Sequence, residues 1–208
     1  HTHADHVSAA RQVADRLHAK TVMHIRSPAP GINMRVDDGE SIALGKLRLR
    51  VMHTPGHTAD SMCLIGSDRV FTGDTLLIGG TGRADLPTGD PVALHASLFD
   101  RLLKLDQALK VYPAHDYKGR SHSTIGDELR TNPRLQHTEL EAFVRMMKAL
   151  DLSMPTHLTE ALRTNMSGGK TVTQMLAEAA ACVPFMSMEE LRDRVEAAVA
   201  TMPGRARR

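Results

Sequence analysis

The chain has 208 residues, of which 41% are hydrophobic and 24% charged, and its formal net charge is +2, a composition typical of a globular protein with one good core. Aromatic residues make up only 3%, too few to stack bases, and the basic residues are dispersed except for Arg205 to Arg208, so we expect no nucleic-acid partner. No apolar run approaches the roughly 20 residues of a membrane span, so we expect no membrane partner either. Cys63 and Cys182 form no CxxC pair, which excludes a disulfide framework and a zinc ribbon and favours a reducing, cytoplasmic location.

Helical and alternating patterns follow one another along the chain. Apolar residues at helical spacing predict a helix over 7–20, followed by a short strand over 21–25. Strands follow over 44–51, 61–65 and 69–72, then a helix over 92–105 and a strand over 109–112. A loop-then-helix segment is predicted over 126–132, and three more helices are predicted over 139–150, 171–181 and 188–200. Strands dominate the region 40–115 and helices flank it, which indicates a mixed α and β class.

The first six residues carry the pattern His-x-His-x-Asp-His. In an extended or turning backbone alternate side chains share a face, so His1 and His3 converge on one point. Asp5 and His6 lie just beyond and reach a neighbouring point. Imidazole is the commonest metal ligand in proteins and a carboxylate suits a hard divalent ion, so the pattern predicts two adjacent metal positions. The alternative is a purification-tag remnant, but a tag would be an uninterrupted histidine run.

Three further candidate ligands each follow a predicted strand. His57 comes after a Pro-Gly turn, Asp74 after a Thr-Gly pair, and His115 after Pro-Ala. One such residue taken alone is usually a solvated histidine or a turn aspartate. Repeated placement where strands end in loops favours a site built on a rigid scaffold.

This ordered set resembles the signature of the metallo-β-lactamase superfamily. The resemblance implies an αββα sandwich with its metal ligands on loops at one sheet edge. It assigns His1, His3 and His57 to a first metal and Asp5, His6 and His115 to a second, with Asp74 bridging and with Asp5 and Asp74 as catalytic carboxylates. The fold normally begins with several strands before the histidine motif. The resemblance therefore predicts an N-terminally truncated catalytic domain over 1–150, followed by a helical extension over 151–208.

Three segments narrow the resemblance to the persulfide dioxygenase group, namely 79–85, 113–119 and 131–135. That group implies one Fe(II) per chain, held by His1, His57 and Asp74. It implies oxidation of glutathione persulfide by O2 to sulfite and glutathione. Its glutathione contacts correspond to Arg83 and Tyr117, with Asp116 supporting the site. The chain departs from the group in having Ala-Asp-Leu where Thr-Asp-Phe is usual.

Several alternatives stay open at this stage. All seven ligands of a two-metal hydrolase are present, so one or two Zn(II) ions and thioester hydrolysis of the glyoxalase II type form the main rival. Arg83 has an alternative structural role in an ion pair with Asp85 or Asp116, and Tyr117 has one in packing. The third hypothesis is an interaction module without catalytic activity. A homodimer is compatible with the sequence.

Overall fold

The structure is a computed structural model that describes residues 1–2 and 6–167, together with 173, 174, 177 and 193. The chain forms two compact units, residues 1–169 and 170–208. The predicted domain boundary at residue 150 stays a prediction. The predicted helices over 171–181 and 188–200 lie outside the described residues. In the described part of the chain, no helix has the length and apolar character needed to cross a membrane.

The first unit contains ten short strands and five helices among its described residues. The strands are β1 Val22–His24, β2 Met34–Val36, β3 Ser41–Leu44, β4 Leu47–His53, β5 Met62–Ile65, β6 Arg69–Gly73, β7 Leu76–Leu77, β8 Gly80–Thr81, β9 Lys110–Pro113 and β10 Ser123–Thr124. The helices are α1 Ala10–Leu17, α2 Pro91–Ala96, α3 Ile125–Thr131, α4 Leu140–Lys148 and α5 Leu158–Met166. This is the predicted mixed α and β class.

Six of the strands form one sheet in the order β10-β9-β6-β5-β4-β3. β4 and β6 both pair antiparallel with β5, and β9 pairs parallel with β6. The strands β4, β6 and β9 therefore run in the same direction. Their carboxyl ends meet at one edge of the sheet, which we call the ligand edge.

Helices cover one face of this sheet, and a small sheet covers part of the other, on which Phe71 of β6 remains exposed. Apolar side chains of β4, β5, β6 and β9 alternate, so that one set packs against α2, α3 and α4. That core includes the fully buried Val70, Leu94, Val111, Ile125 and Phe143. The opposite face, around Val51, packs towards β1 and β2, which form a separate parallel pair. A layer of helices, a large sheet and a small sheet thus follow one another.

The helix predicted over 92–105 changes its winding part of the way along. Asp90 caps α2, its side chain accepting from the backbone N–H groups of Val92 and Ala93, but α2 ends at Ala96. A π-helical turn over Ser97–Arg101 and a 3-10 turn over Leu102–Lys104 follow. The leucines of this segment recur every fourth residue, a spacing that drifts around an α-helix. The wider π turn compensates for that drift, and Leu94, Leu98 and Leu102 are all fully buried.

The first helix is shorter and more exposed than its sequence predicts. The prediction covered 7–20, but α1 spans Ala10–Leu17 and ends at His18, which has left-handed backbone angles. None of its residues is buried, and Leu17 is 71% exposed. A groove of about 740 Å³ lies between α1 and β1, so the apolar face of α1 lacks a packed neighbour there. The amphipathic pattern predicts the helix correctly, but it does not predict burial.

The strands β2 and β10 and the helix α5 were not predicted, whereas the remaining predicted elements agree with the structure to within one or two residues, with one exception. The exception is the strand predicted over 44–51, which is divided by a turn at Gly45, where φ is 60°. That glycine ends β3 and begins the hairpin to β4. The β7–β8 hairpin was not predicted, because two-residue strands leave no periodic pattern.

Candidate metal centre

The ligand edge brings together three side chains from distant parts of the sequence. His57 follows β4, Asp74 follows β6 directly, and His115 follows β9. Because these strands run in the same direction, their following loops meet at one point. His1 joins them from the start of the chain. Strand direction therefore explains why the residues converge although 58 positions separate His57 from His115.

One oxygen of Asp74 lies at the centre of this group. Its Oδ2 atom is 3.2 Å from His1 Nε2 and 3.5 Å from both His57 Nε2 and His115 Nε2. Ligand atoms of His1, His57 and Asp74 all lie within 4.8 Å of one another. The rings of His1 and His57 are perpendicular, with centroids 4.8 Å apart. Two imidazoles and one carboxylate thus face a common point in a largely buried position.

The hydrogen bonding of His57 favours a cation at that point. Its Nδ1 lies 2.8 Å from the carbonyl oxygen of Arg83. A carbonyl only accepts, so Nδ1 carries the proton, and in the neutral ring Nε2 presents a lone pair to the carboxylate of Asp74. Two lone pairs facing each other at 3.5 Å repel unless a proton or a metal ion lies between them. A histidine oriented by a backbone carbonyl is also the usual arrangement behind a metal ligand. The residues present therefore fit a divalent metal ion.

The carboxylate of Asp74 is kept ionised. Burial by itself raises its pKa, but the imidazole of His1 at 3.2 Å and the nearby His57 and His115 outweigh burial and lower the pKa to about 2. Its second oxygen, Oδ1, is buried and has no hydrogen-bond partner among the described residues. A buried charged oxygen without a partner is costly, and a metal ion would supply one.

A glycine allows the loops around Asp74 to approach each other. A Cβ atom on Gly82 would lie 1.9 Å from the carbonyl oxygen of Asp74 and 3.1 Å from His57 Nδ1. No side chain fits there without moving the backbone that carries Asp74. The close approach of the Gly82 and Asp74 backbones therefore requires a glycine at position 82.

The remaining residues of the opening motif are less closely joined to this group. His6 is exposed, and its ring meets that of His115 edge-on at 6.1 Å between centroids. Its carbonyl oxygen accepts from Asn165 Nδ2 at 2.8 Å. His3 and Asp5 lie outside the described residues, so their assignment to the metals stays a prediction.

A pocket of about 520 Å³ opens beside the metal-ligand candidates. Arg83 lines it, but its guanidinium forms a two-point ion pair with Asp85, both contacts being 2.7 Å, and donates to the carbonyl of Ser153. This is the structural role weighed above as the alternative for Arg83. Its role as a substrate contact stays a prediction.

The loop after His115 carries the other two predicted substrate residues. Tyr117 is 86% exposed, and its ring is parallel to that of His115, with centroids 5.9 Å apart. Asp116 accepts from the side chain and the backbone N–H of Arg120, which hold the pKa of Asp116 below its usual range. Asp116 therefore shapes the loop that presents Tyr117 at the mouth of the pocket.

Sequence reasoning missed a half-buried arginine in the same pocket. Arg134 donates to the carbonyl and hydroxyl oxygens of Thr81, at 2.7 and 3.1 Å, and burial lowers the pKa of its guanidinium. Among the described residues, no carboxylate pairs with it. Arg134 stands in the 131–135 segment that carried the family resemblance, which was the available signal.

Comparisons with known proteins agree with this geometry. A model of the metallo-β-lactamase superfamily matches residues 1–115. The chain is 34% identical over 171 residues to the human mitochondrial persulfide dioxygenase ETHE1, covering 81% of this chain and 67% of that protein. It is also 34% identical over 209 residues to a probable metallo-hydrolase of Burkholderia pseudomallei, covering 82% of this chain and 71% of that protein.

A solved structure shows the same fold. The crystal structure of ETHE1 from Myxococcus xanthus matches with a TM-score of 0.78 and 39% identity, over 82% of this chain and 75% of that one. This likeness supports a metal-dependent enzyme. Because the family model covers more than half of the sequence and the fold agrees, this chain belongs to the metallo-β-lactamase superfamily.

Proposed function

We propose that this protein is a persulfide dioxygenase that uses one Fe(II) ion per chain. The observation that carries the proposal is the group of His1, His57 and Asp74, whose ligand atoms lie within 4.8 Å of one another. Two histidines and one carboxylate with further positions open are the ligand set of non-haem iron oxygenases. The similarity to a persulfide dioxygenase supports this choice of metal chemistry.

The proposed substrates are glutathione persulfide and dioxygen. The ferrous ion, when bound, supplies neighbouring open positions that bring a sulfur atom and dioxygen into contact. Glutathione persulfide, dioxygen and water give glutathione and sulfite, with release of two protons. The terminal sulfur is oxidised by four electrons, the sulfur–sulfur bond breaks, and dioxygen takes up those electrons.

Arg134 is our choice for binding a carboxylate of the glutathione part. It lines the pocket, is half-buried, and has no carboxylate partner in the described part of the chain. A guanidinium binds a carboxylate through two parallel hydrogen bonds. The guanidinium of Arg83 already forms two such hydrogen bonds with Asp85. Tyr117, at the mouth of the pocket, remains the proposed second contact.

A binuclear zinc thioester hydrolase is the second candidate. The observation in its favour is His115, whose Nε2 is 3.5 Å from the same Asp74 oxygen that the first group faces. A carboxylate between two imidazole groups can bridge two metal ions. The similarity to a probable metallo-hydrolase is compatible with it.

The two candidates separate on metal content and product. We would load the purified protein anaerobically with Fe(II), then measure oxygen uptake and sulfite formation with glutathione persulfide. We expect one iron per chain and one sulfite per dioxygen consumed. In parallel, His57→Ala should lose the iron, whereas His115→Ala should keep it. Two bound zinc ions, loss of metal in His115→Ala and cleavage of an acyl-glutathione would instead establish the hydrolase.

Location and assembly are separate proposals. The cytoplasmic location rests on the two separated cysteines and not on the relatives, of which the human one is described as mitochondrial. A homodimer stays a proposal that sedimentation of the purified protein would test.

A further inference from the structure

A buried carboxylate joins the two loops that carry His1 and His57. Asp60 is only 3% exposed. Its Oδ2 atom accepts from the backbone N–H of Thr2 at 2.9 Å and from the Thr2 hydroxyl at 2.7 Å. Its Oδ1 atom accepts from the Thr58 hydroxyl at 2.7 Å. Thr2 and Thr58 each follow one of the two histidines directly in the sequence.

The contact points restrict both loops close to the ligands. Both threonines are themselves buried, at 8% and 4% exposure. The Thr2 hydroxyl donates to Asp60 and has Ser27 Oγ 3.2 Å away, so its orientation is fixed. Thr58 is further held by Ser61, whose hydroxyl accepts from the Thr58 backbone N–H at 3.1 Å. One carboxylate therefore fixes the spacing of two chain segments that are more than fifty residues apart in sequence.

Asp60 is unusual in being a buried carboxylate without a cationic partner among the described residues. No arginine or lysine pairs with it in the described part of the chain, and its three partners are hydrogen-bond donors. A buried carboxylate is costly unless its neighbourhood offsets the charge. Carboxylates placed behind metal ligands hold the ligands in position, and the metal's own charge stabilises them.

We propose that Asp60 is a positioning residue for the metal centre. It sets the distance and orientation between His1 and His57, and through them the affinity for the metal and the symmetry of its ligand field. This inference rests on the proposed function in that it takes His1 and His57 as metal ligands. It holds equally for iron and for zinc.

The test uses Co(II) binding to the apo-protein, measured by competition with a chelator and by the visible absorption spectrum. Asp60→Asn keeps the size of the side chain but removes its negative charge, and the new amide NH2 group can replace only the oxygen that faces Thr58, whose hydroxyl must then rotate from donating to accepting. We expect about 10- to 100-fold weaker Co(II) binding and an altered spectrum. Thr2→Val removes the hydroxyl contacts with Asp60 and Ser27 but keeps the backbone N–H bond to Asp60, so it should show the same changes to a smaller degree.

Glu128→Gln is the matched control. Glu128 is a carboxylate of 1% exposure whose contacts are with Gly79 N in the β7–β8 turn and with Asn132 Nδ2, not with the loops that carry His1 and His57. We expect lower thermal stability but unchanged Co(II) affinity and spectrum. Wild-type affinity and spectrum in both Asp60→Asn and Thr2→Val would overturn the role of Asp60, as would an equal loss in Glu128→Gln. Failure of the wild-type protein to bind Co(II) would overturn the proposed function as well. If Asp60→Asn does not fold, the affinity and spectrum of Thr2→Val decide.

Discussion

The ligand edge and the rim of the adjoining pocket are built differently, although they share a cavity. At the edge, His57 and Asp74 are 8% and 6% exposed and follow strands that are paired on both sides. At the rim, Tyr117 is 86% exposed and lies on a loop shaped by Asp116. Buried groups on paired strands have few alternative positions, whereas exposed loop groups have many. The fold therefore restrains the candidate metal ligands more strictly than the groups at the rim of the pocket.

Replacing Gly82 with alanine should disrupt the edge most severely. The new Cβ would lie 1.9 Å from the carbonyl oxygen of Asp74, so the backbone carrying that ligand must move. We expect a loss of about 1–3 kcal/mol in the free energy of unfolding from overpacking. Metal affinity should fall by at least about 100-fold, more than outer-residue changes cause.

Gly80→Ala is the control for that change, because a Cβ there meets nothing within 4 Å. It should keep both the stability and the metal content, measured by denaturant unfolding and by elemental analysis. Normal metal binding in Gly82→Ala would show that the edge is more adaptable than its burial suggests.

The two arginines of the rim should respond differently to substitution. Arg134→Gln should raise KM for glutathione persulfide by roughly 10- to 100-fold, since a hydrogen bond to a charged group contributes about 1.5–3 kcal/mol. Arg83→Gln should instead lower thermal stability, because it breaks the pair with Asp85 and the contact with Ser153. Steady-state kinetics and thermal unfolding of both variants measure the contrast. A larger rise in KM for Arg83→Gln would restore Arg83 as the substrate contact.

Asn165 of α5 contacts the segment 6–8, which leads from the opening histidine motif to α1 and is called the opening loop here. The Asn165 side chain accepts from Ser8 N and donates to the carbonyl of His6, both at 2.8 Å. Asn165→Ala should lower the free energy of unfolding by about 1–3 kcal/mol, since two hydrogen bonds are lost and each contributes about 0.5–1.5 kcal/mol. Hydrogen exchange at Ser8 should become faster, while Co(II) affinity should fall less than in Asp60→Asn.

Thr164→Val is the neighbouring control on the same helix. In the described part of the chain, the Thr164 side chain makes no hydrogen bond to the opening loop. Hydrogen exchange at Ser8 in the Thr164→Val variant should match that of the wild type. Unchanged exchange in Asn165→Ala would mean that α5 does not hold the loop.

The smallest effect concerns a buried histidine away from the metal ligands. His24 is 1% exposed, and burial together with the stacked ring of His53 lowers its pKa. The unfolded chain, with an ordinary value of about 6.5, then binds the proton more readily than the folded one. The free energy of unfolding should therefore decrease as the pH falls from about 6.5 towards the folded-state pKa.

His24→Asn should flatten that dependence, because asparagine does not titrate in this pH range. Its amide oxygen can still accept from Arg26 N as His24 Nδ1 does, so the local structure should be kept. His18→Asn, an exposed substitution in a left-handed position that asparagine tolerates, is the control. Urea unfolding at several pH values measures the slopes. An equal slope in the His24→Asn variant and the wild type would assign the effect to other groups.

The sequence determined the elements whose pattern is local. The strands around His57, Asp74 and His115 were predictable because alternation and flanking glycine and proline residues mark them. The metal-ligand candidates were predictable because histidine and aspartate recur at strand ends and match a family signature. The winding change after α2 and the exposed face of α1 were not predictable, since both depend on which neighbours are available for packing.

The polar groups that lie behind the candidate ligands are brought there by the tertiary structure. Asp60 lies three residues after His57, but its partner Thr2 is 58 residues away. Asn165 stands in a stretch without a metal-binding pattern, and its partners are 157 and 159 residues away. Arg83 and Arg134 are the same residue type, yet Arg83 has a carboxylate partner whereas Arg134 donates to Thr81. Hydrogen-bond partners across such separations are set by strand order and helix packing. Those arise from the whole core, and no local pattern records them.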